Sequence, residues 1–443
     1  MSQNALSVCY EDANHTATLI GRVSLRNGSI AFESNHSVFN KSSGWNPACE
    51  INDEKQLTSL IVDSLPDLWG RKVASELLKA RARKDEVRPA PADDALLLGL
   101  VCDSDRMGAL RFTDEKMPGH YLGVRRFTPP TTVDLPELCQ TARRIETGDM
   151  LSSACLEQFA ENATALGGSR PKTSFINEQS QLCIAKFPSI NDDRDKGAWE
   201  YVTARLAQQA GIRLPEFRLI DIDDPFGRVF ASKRFDRTEA GARLHFLSVR
   251  ALFGATDNRE PRSYRNLTAL IEAICHDPEK QKEELWRRTI FKCLIHDGDD
   301  HLRNLGFLFT AAGWELAPAF DLNPSLSKTH LTLTYGDKYR DITPEALLEY
   351  SSDWGIPSDI AKKIAYETVQ SIARWKDEAQ SAGISIFSFS ACRISTGVST
   401  LGMILGSALI AFKQSTTSYF AKNSPYLHRS DRHHQKKTAY GII

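Results

Sequence analysis

Residues 292–324, KCLIHDGDDHLRNLGFLFTAAGWELAPAFDLNP, crowd His296, Asp297, Asp299, Asp300, His301, Asn304 and Asp321 among apolar, strand-like runs. Side chains of these types suit a hydrolytic metal centre, a phosphoryl-transfer site or a polar loop. Asp299 and Asn304 stand in the spacing D-x-x-x-x-N. In a phosphoryl-transfer loop of that spacing, the Asp accepts a hydroxyl proton and the Asn holds magnesium. The segment that follows adds to this reading. LGFLF, the turn TAAG and WELAP read as a hairpin, so Asn304 before it and Asp321 after it emerge at one end. Two oxygen ligands from adjacent strand ends can share Mg2+ with a nucleotide. The plainer reading of Asp321 is a loop cap.

A site of this kind needs a phosphate cradle and a lysine upstream. Gly167, Gly168 and Ser169 with Lys172 form a loop whose backbone N–H groups could approach phosphate closely, although Gly-Gly turns are common. Lys186 ends the apolar run LCIAK, as a lysine ends the V-A-I-K strand that contacts nucleotide phosphates; a strand-end lysine can also simply face solvent. Glu200, in the helical pattern WEYVTARLAQQAG, suits an ion pair that orients Lys186, or else is an exposed helix carboxylate. Glycine loop, lysine, helix glutamate, D-x-x-x-x-N and final Asp follow one another in the order that phosphoryl transfer requires.

Beyond these, DSLPDLWGR (63–71), MGALRF (107–112), GGSRPK (167–172), IAKFPS (184–189), KRFDR (233–237), DDHLRN (299–304) and LAPAFDLNP (316–324) together resemble the HipA-like serine/threonine kinases of bacterial type II toxin–antitoxin modules. The likeness runs over about residues 15–385. It implies a protein kinase using ATP and Mg2+, with Asp299 as base and Asn304 and Asp321 as metal ligands. It also implies that the loop 167–172, Arg170 included, and Lys186 hold phosphates, and that Lys233, Arg234 and Phe235 line the adenine hinge. His301 would lie against the phosphates or make a structural hydrogen bond. The implied partners are a Ser/Thr acceptor protein, in this family one of the translation apparatus, and a small helix-turn-helix antitoxin that carries the DNA contact. The family's self-phosphorylated serine before the glycine loop corresponds to Ala165, beside Thr164. Either Thr164 substitutes, or this self-inactivation is absent.

The elements that must position these residues follow from patterning. With 443 residues, 41% apolar and 25% charged, the chain has the composition of a globular protein of two or three domains. The expected class is α+β: a small β-rich N-terminal domain (1–125), then a kinase-like two-lobed body. That body comprises a mixed α/β upper lobe (130–240) and a helical lower lobe (241–385), followed by a divergent tail (386–443). Strand-like alternation around Asn27-Gly28 predicts an N-terminal hairpin. Long helices are predicted beyond 245, in FLSVRALFGA, NLTALIEAICHD and KEELWRRTIFKCLIHD.

Net charge is −1, so nothing suggests that this chain grips DNA by itself. The nine scattered cysteines lack a C-x-x-C pair and read as reduced thiols of a cytoplasmic protein. The N-terminus has no basic and apolar leader pattern. Residues 394–412 carry no charge, but their continuous apolar part falls short of the roughly 20 residues a membrane span needs, so no membrane is expected. Two rival readings stand. His276-Asp277 and His296-Asp297 could serve an HD-type metal-dependent phosphohydrolase, or the chain could be a nucleotide-binding pseudokinase acting as a regulatory subunit.

Overall fold

The computed structural model describes residues 5–26, 29–35, 54–117, 119–254, 263–299, 301–324, 330–336, 338–341 and 344–384. The Asn27-Gly28 turn, the tail beyond 385 and two of the cysteines, Cys49 and Cys392, lie outside them. The fold is mixed α/β with several small antiparallel sheets.

Strands β1 (Leu6–Glu11), β2 (Ala17–Arg26) and β3 (Ser29–Ser34) pair antiparallel, and β4 (Leu110–Asp114) adds to β1. The order β3-β2-β1-β4 means that the chain leaves this sheet and returns. Between departure and return come α1 (Glu54–Ser59), α2 (Leu68–Lys84) and α3 (Asp94–Leu100). The predicted helical stretch after 135 divides into α4 (Leu135–Thr147) and α5 (Ser153–Ala163). Gly148, at φ 79°, ends α4 in the left-handed region, and the Ser152 hydroxyl caps α5 by accepting the Cys155 N–H at 3.2 Å. In α4, Leu135, Cys139, Ala142 and Ile145 are buried at helical spacing, giving one apolar face.

A second four-stranded sheet, in the order β5-β6-β8-β7, holds β5 (Lys172–Ile176), β6 (Leu182–Lys186), β7 (Phe217–Ile220) and β8 (Val229–Lys233). Helix α6 (Lys196–Gln209) follows β6. Its Gly197 lets α6 close onto the sheet, since a Cβ there would come within 2.0 Å of the Arg228 carbonyl oxygen.

Beyond 245 the reading of FLSVRALFGA as a long helix needs correction. His245–Ser248 is a strand, β9, and only Val249–Leu252 (α7) is helical. The strand is fixed by pairing with β10 (Gly306–Thr310), which also pairs with β11 (Gly313–Leu316). Ser248 ends it by capping α7, its hydroxyl accepting the Ala251 N–H at 3.1 Å. Helices α8 (Tyr264–Ile274) and α9 (Pro278–Leu294) then form as the patterning predicts. A two-stranded sheet of β12 (His330–Tyr335) and β13 (Tyr339–Asp341) follows, with α10 (Pro344–Glu349), α11 (Ser358–Ile372) and α12 (Trp375–Ser381). In this region Trp286 and Trp354 are fully buried with ring centroids 4.9 Å apart.

Candidate active site

A cavity of about 250 Å³ opens between the β5–β8 sheet and the β9–β11 unit. Lys172 and Lys186 end neighbouring strands and stand directly opposite in register. Two like charges so placed repel, and each finds a different solution. Lys186 Nζ pairs with Glu200, from the first turns of α6, and with Asp321 Oδ1 at 2.8 Å. Burial opposes its charge, but Asp321 and Glu200 outweigh it and hold the ammonium above its ordinary range. Among the described residues Lys172 has no carboxylate in contact. Its Nζ donates to the Gly167 carbonyl, and burial together with Lys186 pushes it down to about 8.

Asp321 lies below that pair. Burial works against its charge, yet Lys186, Lys172 and the more distant Lys292 keep the carboxyl well below the usual carboxylate range. Glu200 moves the other way: burial raises it, and Lys186 only partly offsets that. Asp321 also sits at φ 58°, a left-handed conformation that Asp tolerates better than most residues. Asn323 Nδ2 donates to its Oδ1 at 3.1 Å. The carboxylate is thus ionised and oriented at the end of the β10–β11 hairpin.

Asn304 lines the same cavity from the other strand's side of that hairpin end, just before β10. Its Nδ2 donates to the Asp299 carbonyl at 3.0 Å, which leaves the amide oxygen as an open hard donor. Asn304 and Asp321 offer the oxygen chemistry that Mg2+ accepts. Asp299 itself stands at the edge rather than in the lining, its side chain 57% exposed and His301 Nε2 4.0 Å from its Oδ1. An exposed carboxylate at the rim can meet a large acceptor. His301 does line the cavity, and its Nδ1 takes the Arg303 N–H at 3.3 Å.

Gly167 and Gly168 lie in the lining, and Ser169 and Arg170 do not. Arg170 turns away to a two-point pair with Asp192, both contacts 2.7 Å, so its guanidinium braces the loop. At the far wall Lys233, Arg234 and Phe235 all line the cavity, in different ways. Lys233 pairs with Glu216 and Glu239. Arg234 is buried in a fork onto Asp236 at 2.6 and 2.7 Å and donates to the Asp105 carbonyl at 2.9 Å. Phe235 stacks on Phe320 at 5.5 Å, and Phe246 approaches both. An aromatic wall beside a carboxylate-and-lysine floor accommodates a flat base and a charged tail.

Sequence reasoning missed several lining residues. Asp63 and Asp67 belong to DSLPDLWGR, and Arg303 lies inside DDHLRN, so their motifs were visible while their contacts were not. Phe320 sits immediately before Asp321. Lys292 Nζ is buried beneath the hairpin, 4.0 Å from Asp297 Oδ2, with no hydrogen bond among the described residues.

The HD-type reading fails on distance. His276-Asp277 precedes α9 and His296-Asp297 follows it. Seventeen residues of α-helix separate them by about 25 Å. Asp277 caps α9 instead, and His276 Nδ1 lies 3.1 Å from the Trp314 carbonyl oxygen. Among the described residues no group of three His, Cys, Asp or Glu side chains gathers as a metal cluster, and no helix is long and apolar enough to cross a membrane.

Residues 164–376 match the HipA-like C-terminal domain. Among curated proteins, "Putative kinase Y4dM" of Sinorhizobium fredii is 30% identical over 28% of this chain and 32% of its own length. "Toxin YjjJ" of Escherichia coli K12 is 22% identical over 69% of this chain and 66% of its own. The chain thus spans from a third to about two thirds of the length of these relatives. A chain from the solved complex of the Shewanella oneidensis MR-1 toxin–antitoxin system, HipA, HipB and operator DNA, has the same fold. It superposes with a TM-score of 0.61 at 17% identity, covering 92% of this chain and 97% of that one. Residues 164–376, which hold the glycine loop, Lys186, Asp299, Asn304 and Asp321, thus form a domain of the HipA-like C-terminal family.

Proposed function

We propose that this chain is an ATP-dependent protein kinase with a kinase-like two-lobed body, transferring the γ-phosphoryl group to a serine or threonine of another protein. The observation that carries this reading is Lys186, which bridges Glu200 and Asp321 in one cavity with Gly167, Gly168 and Asn304. A lysine oriented by a helix carboxylate, facing an ionised Asp across a cleft, is the arrangement that phosphoryl transfer requires.

In the mechanism, the adenine packs against the aromatic wall at Phe235. The backbone of the glycine loop, Lys172 and Lys186 take the phosphates, with His301 beside them. Asn304 and Asp321 would hold Mg2+, which supplies neutralisation of the charge on the transferring group. Asp299 accepts the proton of the acceptor hydroxyl as that oxygen bonds to the γ-phosphorus and the bond to ADP breaks. Positioning and charge stabilisation provide most of the acceleration.

The acceptor we propose is a host protein of the translation apparatus, whose modification arrests growth. The partner is a helix-turn-helix antitoxin that supplies the DNA contact, as the HipA, HipB and operator complex of the solved relative suggests. Purified protein with γ-labelled ATP, Mg2+ and cell extract tests the reading, followed by identification of the marked protein. Label should enter one dominant acceptor, and Asp299→Asn should reduce transfer by ~10²–10⁴-fold while ATP affinity stays near its original value. An Asp299→Asn variant that transfers at the original rate removes the base assignment. Tight ATP binding without transfer to any acceptor favours the pseudokinase instead.

A further inference from the structure

Asp67 occupies the residue before α2, from which an aspartate ordinarily accepts an N–H of the first helical turn. Here its carboxylate makes no such bond. One oxygen instead accepts the Gly168 N–H at 3.0 Å, a hundred residues along the chain. The other pairs with Arg303 Nη1, within the segment that runs from Asp299 to Asn304. The next residues of the same helix complete the grip. Trp69 N–H donates to the Gly168 carbonyl at 2.9 Å, and the Trp69 indole N–H donates to the Lys172 carbonyl at 2.9 Å. Gly168 is therefore held from both sides by the start of α2, at φ 86°. Asp67 is 16% exposed and Arg303 38%, so the pair is shielded by protein on one side and open to solvent on the other.

We propose that Asp67 is a positioning residue, a single carboxylate that ties the glycine loop to the catalytic segment across the mouth of the cleft. Its carboxylate forgoes capping its own helix and instead makes two charge-assisted contacts to loops of opposite walls. The loop then waits in place for nucleotide phosphates, and the spacing between Gly168 and the Asp299–Asn304 segment is set before ATP arrives. The purpose of this tie rests on the kinase reading; the tie itself does not.

Hydrogen exchange of the nucleotide-free protein, read over residues 164–171, tests the tie without any turnover. Asp67→Ala should raise exchange there about tenfold, the weight of one hydrogen bond to a charged group, while the body of α2 keeps its protection. Asp67→Asn retains an acceptor for the Gly168 N–H and should fall between the two. Arg303→Gln should loosen the loop in the original background and add little once Asp67 is Ala. Kinetics supply the second readout: the KM for ATP rises about tenfold in Asp67→Ala, with kcat changed far less, and Asp67→Asn recovers part of it. Unchanged exchange over 164–171 in Asp67→Ala, or additive effects of the two substitutions, overturns the proposal. Loosened exchange in a protein that transfers no phosphoryl group supports the tie and removes the kinase reading alone.

Discussion

At the scale of single residues, the site is a problem of like charges. Lys172 and Lys186 face each other across two strands, and among the described residues carboxylates touch only Lys186. Lys172 therefore carries the pH dependence. Burial first, then Lys186, lower it from an ordinary 10.5 to about 8, with Asp321 and Glu200 offsetting part of the fall. In the unfolded chain the same lysine keeps its proton up to the ordinary range. Between these two values the unfolded state binds more protons, so this group's penalty is full below about 8 and is relieved as pH rises above it. Nucleotide phosphates reverse the preference by favouring the ammonium. ATP binding at pH 8–9 should accordingly take up protons, visible as a buffer-dependent binding enthalpy, and affinity should weaken as pH climbs through about 8. Lys172→Arg stays charged throughout and should flatten that profile. An identical pH profile in the Arg variant would assign the titration elsewhere.

At the scale of elements, the glycine loop owes its place to a helix outside the matched domain. Helix α2 lies so close to the end of α5 that a Cβ on Gly70 would sit 2.6 Å from the Thr164 carbonyl oxygen and 2.8 Å from Pro66 Cβ. Gly70→Ala must push α2 away, and overpacking of this kind costs about 1–3 kcal/mol. Because Trp69 travels with α2, the same change should weaken ATP binding; denaturant titration and nucleotide affinity read the two effects separately. Thr164 itself is fully buried, its hydroxyl donating to the Ala160 carbonyl at 2.8 Å, so phosphorylating it would require the loop to leave first. The site could be read from sequence wherever chemistry and local pattern coincide. Lys186 ends an alternating strand, and Asn304 and Asp321 flank a hairpin whose turn is visible in TAAG. Asp67 could not be read that way. An Asp before a helix looks like a cap, and nothing local points to partners at 168 and 303. The strand β9 was hidden for a similar reason: four residues run straight into an apolar helical turn, and only pairing with β10 distinguishes them.

Across the whole molecule, the wall that carries Lys233 to Phe235 is keyed to the N-terminal part of the chain by buried charge. Asp236 takes a fork from Arg234, a bond from Arg237 Nη1 at 2.7 Å and the Gly108 N–H at 2.8 Å. Arg234 and Arg237 also donate to carbonyls of the 104–106 turn, and Arg243 binds the Asp103 carbonyl at 2.5 Å. Burial opposes ionisation of Asp236, but Arg234 and Arg237 prevail and hold its carboxyl far below the usual range. Its contribution is present above the ordinary carboxylate range and fades only as pH falls through that depressed value. Such a network gives the cavity wall a fixed seat, but removing one member leaves guanidinium groups buried without a counter-charge. Asp236→Ala should therefore cost about 3–5 kcal/mol, read as a shift of the urea midpoint. Because the pair is shielded from ions, that loss should persist in molar salt, whereas an exposed pair such as Arg22–Glu115 would be screened. Pairing the change with Arg234→Met, which removes a stranded cation and restores apolar volume, should recover a substantial part of the loss. If the double variant is as unstable as the sum of the two single ones, the network contributes through packing, and the charge argument for this wall falls.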